Sequence, residues 1–102
     1  MERYDEILRE LVADLPDPEA RREVYRTVYY LYGLWRRGEV RESQVREALA
    51  DVCMRVIKFA HPELTDEEIE ERGFDYADRF IESFKTYDMF AAIRAKLKLP
   101  GV

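Results

Sequence analysis

Few side chains in this 102-residue chain are equipped for chemistry: one cysteine, Cys53, one histidine, His61, and the carboxylates that follow at Glu63, Asp66, Glu67, Glu68, Glu70 and Glu71. A lone cysteine cannot close a disulfide within the chain, and with a single histidine it does not complete a zinc site. Cys53 stands in an apolar stripe with Leu49, Val52, Val56 and Ile57, where a thiol serves as a small hydrophobe and its thiolate is disfavoured. His61 precedes Pro62 at the end of a helical stretch, so its ring is expected to meet terminal carbonyls and the helix dipole rather than to move protons.

Glu67 and Glu71 share a helix face at i,i+4 and, with His61, outline a divalent-ion site. Di-metal bundles, however, set Glu-x-x-His on facing helices, a spacing this chain lacks. The acids are better explained as a helix start: Asp66 to Glu68 lie where the dipole favours negative charge, and Glu68–Arg72 and Asp75–Arg79 are spaced for i,i+4 ion pairs. The glycines at 33, 38, 73 and 101 are isolated, so no phosphate-binding loop is present. No catalytic, cofactor or metal residue is assigned, and a non-enzymatic role is expected.

The elements that must position any other site are helical. Hydrophobic residues make up 47% and charged residues 38% of the chain, enough for a real core in one domain spanning 1–102. Apolar runs such as Phe90–Ile93 are too short for a membrane span or a signal peptide, so a cytoplasmic location is expected. Asparagine is absent, Gln44 is the only glutamine, and 13 Arg outnumber 4 Lys. That pattern fits a chain built for high temperature, and equally a GC-rich coding sequence.

Period-3.6 patterning runs nearly end to end, and no stretch alternates as a strand would. The fold class expected is all-α, a compact antiparallel bundle of four to five helices. The first helix carries Tyr4, Ile7, Leu8, Leu11, Val12 and Leu15 on one face. Pro16 ends it, and Asp17-Pro18 supplies an N-cap with proline at N1 for a second helix running to Arg37, closed by Gly38. The third spans Glu42–Ala60, with Val45, Ala48, Leu49, Val52, Cys53, Val56, Ile57, Phe59 and Ala60 directed inward. Thr65-Asp66-Glu67-Glu68 is a capping box that opens a fourth helix, whose Gly73 lies either inside it or at a break. A last helix is expected at about Tyr87–Leu97, packing Phe90, Ile93 and Leu97.

Charge is informative once it is located. The net charge is −5, yet Arg21–Arg46 holds seven arginines against three acids, whereas Pro62–Glu82 holds nine acids against two arginines. These two regions are placed to attract each other within one bundle or between two copies. One use of the basic region is nucleic acid: residues 35–46 read as helix, glycine turn and helix, with Arg36, Arg37, Arg41 and Arg46 as contacts. The pI near 5.0 and the acids Glu39, Glu42 and Glu47 among those arginines oppose it.

The other use is protein contact. On the second helix Trp35, Val24, Val28, Leu31, Tyr32, Tyr25 and Tyr29 cover about 160° of the circumference, and Tyr30 and Leu34 project from the other side. Gly33 there would let another backbone approach, and aromatic residues ringed by Arg26 and Arg37 match the make-up of interface hot spots. Tyr29, Tyr30, Gly33, Leu34 and Arg37 are accordingly the expected interface. A two-fold homodimer or the role of a small accessory subunit follows as the leading function, with a nucleic-acid-binding regulator as the alternative.

Overall fold

Local chemistry marks where each helix starts and stops. The computed structural model describes residues 2–88. Their four helices are α1 (Tyr4–Val12), α2 (Pro18–Arg36), α3 (Glu42–Ala60) and α4 (Asp66–Tyr87). There is no strand among the described residues, and the fold is a compact all-α bundle. The expected last helix at Tyr87–Leu97 lies, beyond Asp88, outside the described residues.

The Asp17 carboxylate accepts from the Glu19 amide at 3.0 Å with Pro18 in the first turn of α2. Gly38, at φ 72°, closes that helix. Its amide donates to the Trp35 carbonyl (2.9 Å) and the Glu39 amide donates to Leu34 (3.0 Å), the bond pair of a Schellman motif. At the start of α4 the Glu68 amide donates to Thr65 Oγ1 (3.1 Å) and the Thr65 amide donates to Glu68 Oε1 (3.0 Å). The capping box is therefore complete.

The Thr65 amide and hydroxyl hold the Glu68 carboxyl below its ordinary pKa. Loss of the hydroxyl in Thr65→Ala is expected to cost about 1 kcal/mol in urea unfolding at pH 7. Glu68 has a folded pKa below its unfolded one, so its share of the cap is present above the ordinary carboxylate range and disappears as pH falls through the lowered value. The difference between wild type and variant should shrink on acidification; a difference that grew would contradict this account.

Side-chain contacts fix the directions of the helices. Lys85 Nζ meets Glu42 (2.7 Å), Arg46 Nε meets Asp78 (2.6 Å) and Gly73 backs onto Ala50, so α3 and α4 run antiparallel. Tyr4 packs on Phe84 (5.7 Å between centroids) while Asp14 meets His61 at the other end, which sets α1 antiparallel to α4. Tyr32 and Trp35 also reach Phe84 (4.7 and 6.0 Å), bringing the C-terminal ends of α2 and α4 together. The order is up, down, up, down.

The core draws on all four helices, with Ile7, Leu8, Val28, Leu49, Cys53 and Phe80 fully enclosed. Three details depart from the periodicity. Phe59, expected inside, is 72% exposed: it lies about 80° round α3 from Leu49, at the edge of the stripe and in the last turn. Ala50, outside the expected stripe, is fully buried because α4 crosses there with Gly73, which sits inside that helix. Arg79 does not turn back to Asp75; it crosses to Glu2, just before α1 (2.9 Å), and to Glu10 within it (2.5 Å).

Candidate interaction surface on helix two

The buried side of α2 is narrower than its apolar arc. Val24, Val28 and Trp35 are buried, and Tyr25, Leu31 and Tyr32 are half-buried against the core. Tyr29 is 43% exposed and Tyr30 63% exposed. Tyr29 leans on neighbours, its ring edge-on to Tyr4 (5.8 Å) and to Tyr25 (6.2 Å), and partial burial raises the pKa of its hydroxyl. Tyr30 projects on the outer side beside half-buried Leu34.

Gly33 is half-buried, and the space above it is already occupied. A Cβ on Gly33 would lie 3.3 Å from a terminal nitrogen of Arg37, so that guanidinium covers the glycine. Arg37 also meets Glu39 at 3.2 Å. The five expected interface residues thus lie on one helix and its cap, with Tyr30 outermost and Arg37 folded back over Gly33.

The arginines of the nucleic-acid reading are largely engaged within the chain. Arg46 forms a two-pronged pair with Asp78 (2.6 and 3.3 Å) and lies over the Phe74 ring at 4.6 Å. Arg36 meets Asp88 at 3.2 Å, and Arg37 meets Glu39. Arg41 precedes α3, its amide donating to Gln44 Oε1 at 2.9 Å. On α2 itself Arg22 pairs with Glu19 (3.2 Å) and Arg26 with Glu23 (2.7 Å). The attraction between basic and acidic regions is realised within one chain by Arg46 and Asp78.

The groups considered for catalysis are dispersed. Cys53 is fully buried, and burial pushes its thiol up to about 12, so it is protonated at neutral pH. The His61 ring faces carboxylates rather than helix-end carbonyls: Nε2 lies 2.9 Å from Asp14 and Nδ1 3.4 Å from Glu63. Glu67 and Glu71 are exposed on α4, and no group of three His, Cys, Asp or Glu among the described residues is placed to hold a metal ion. A cavity of about 610 Å³ beside Phe74 is rimmed by Glu68, Glu71, Arg72, Asp75 and Asp78.

One polar cluster carries no sequence signal. The Tyr32 hydroxyl donates to Asp88, whose nearly buried carboxylate also meets Arg36. Burial first, and then this bond, hold the Tyr32 hydroxyl well above its ordinary pKa. The partners are 56 positions apart, so only the packed bundle brings them together. No helix among the described residues is long and apolar enough to cross a membrane. Compared with protein-family models, curated proteins and solved structures, the chain matches none.

Proposed function

We propose that this chain is a non-enzymatic, cytoplasmic protein–protein contact module that pairs with a second copy of itself through α2. The observation that carries the reading is Tyr30, a large aromatic residue left 63% exposed in the outward face of a helix whose other side is embedded in the core. Leu34 lies one turn on, and Arg26 and Arg37 flank it. Tyrosine and arginine beside an aliphatic residue supply anchors at protein interfaces, and a two-fold axis lets one such face meet its own copy. The nucleic-acid alternative has weaker support, because Arg36, Arg37 and Arg46 already face carboxylates of the same chain.

Sedimentation at micromolar concentration tests this. Wild type should run as a dimer, and Tyr30→Glu should weaken it by about thirtyfold or more, the effect of losing a hot-spot residue. The helical circular-dichroism signal should be unchanged, since the side chain makes no core contact. A wild-type monomer across the concentration range would remove the self-association reading. Salt-dependent retention on DNA, abolished by Arg36→Glu with Arg37→Glu, would favour the alternative.

A further inference from the structure

The N-terminal turns of α2 and the C-terminal turn of α1 leave a groove between them. α1 packs mainly against α4 and meets α2 near its own start, where Tyr4 stacks on Tyr32 (5.5 Å), while the groove lies between the two helices at the C-terminal turn of α1. The resulting cavity of about 340 Å³ has Val12, Ala13, Pro18 and Tyr25 as its apolar lining. Arg9, Arg21 and Arg22 complete the lining, which includes no carboxylate. On a chain of net charge −5, three guanidinium groups round one apolar groove stand out from the surface as a whole.

Each of these arginines is held differently. Arg21 is anchored by its Nε donating to the Leu15 carbonyl at 2.6 Å, which leaves its terminal nitrogens as donors. Arg22 is shared with exposed Glu19 at 3.2 Å. Arg9 has no carboxylate partner among the described residues. Apolar clefts of a few hundred Å³ with a few converging polar groups are the usual form of small-ligand sites, and a guanidinium matches a carboxylate in a paired geometry.

We propose that this groove binds a small amphipathic anion, with an aliphatic or aryl body against Val12, Ala13, Pro18 and Tyr25 and a carboxylate or sulfonate at Arg9 and Arg21. Charge complementarity selects the head group, and the lining selects the tail. Tyr25 lies about 140° round α2 from Tyr30. The groove therefore adjoins the self-association face only at Tyr29, whose ring meets Tyr25 at 6.2 Å, and lies away from Tyr30, so a change at Tyr30 tests one without the other.

Isothermal titration of the full chain with sodium decanoate and with decyltrimethylammonium, which share a tail and differ in the sign of the head, tests the site. Decanoate should bind saturably at one per chain, and the cationic amphiphile about tenfold more weakly or worse. Arg9→Glu with Arg22→Glu changes only exposed side chains and should weaken decanoate by roughly tenfold. Ala13→Phe, on an exposed residue just past α1, should fill the groove with the same result, while Tyr30→Glu should leave binding intact. Equal binding of both amphiphiles, unchanged affinity in both groove variants, or no saturable decanoate binding would each overturn the proposal.

Discussion

Phe84→Ala is expected to lower the unfolding free energy by about 3–5 kcal/mol, a large part of the 5–15 kcal/mol typical of a folded domain. Phe84 is 1% exposed and lies against rings from three helices: Tyr4 of α1, Tyr32 and Trp35 of α2, and Phe80 of α4 (6.2 Å). Truncation would leave a void where those helices meet, and rings pinned by one another relax poorly into it. Trp35 is the only tryptophan and touches the site, so its fluorescence reports the transition directly. Phe59→Ala is the matched comparison: the same chemical change at a 72% exposed ring should stay within about 0.5 kcal/mol of wild type. Similar losses for the two variants would mean that the packing around Phe84 is misassigned.

Gly73→Leu should be the second severe substitution, at about 3 kcal/mol or more. Helix propensity alone argues the other way, since glycine inside a helix is about 1 kcal/mol worse than alanine. The decisive quantity is the space toward α3. A Cβ at position 73 would collide with Met54 Cγ and lie 3.1 Å from the Ala50 carbonyl oxygen. Met54 is a flexible side chain and can turn away; the Ala50 carbonyl is backbone and moves only if α3 moves. Gly73→Ala should therefore destabilise by about 1 kcal/mol despite its better propensity, and leucine should do more. A stabilised alanine variant in urea unfolding would show that the α3–α4 spacing yields easily.

These two sites mark the boundary of what patterning reveals. Pro18, Gly38 and the Thr65–Glu68 box act through bonds between residues two to five positions apart, so the helix limits they impose are legible in the chain itself. The depth of a residue is another matter. Val52 and Phe59 both lie on the edge of one stripe, yet only the position of neighbouring helices leaves Phe59 in solvent and hides Ala50. Arg79 looked like the partner of Asp75, but the closer carboxylates belong to Glu2 and Glu10, far along the chain. For the candidate surface, residue spacing puts Tyr29, Tyr30, Gly33, Leu34 and Arg37 on one helix and its cap, and both tyrosines are exposed there. That Arg37 would fill the space over Gly33 was not legible, since rotamers of a long side chain leave no trace in residue spacing. The α1–α2 groove was invisible for the same reason: it is a gap between elements, not a property of either.

The shortness of α1 bears on the order in which the bundle assembles. Nine residues are too few for a helix to persist alone in water, where roughly 12–15 are needed even for favourable sequences. Its order is borrowed chiefly from α4, through Tyr4 on Phe84 and Arg79 on Glu2 and Glu10, and from α2, through Tyr4 on Tyr32. The α3–α4 hairpin, by contrast, joins two long helices across a five-residue connection and pairs residues near in sequence, so its loop-closure entropy is small. The hairpin is therefore expected to form first and α1 to dock on it afterwards. The groove beside α1 then belongs to the part of the molecule that forms last and opens first.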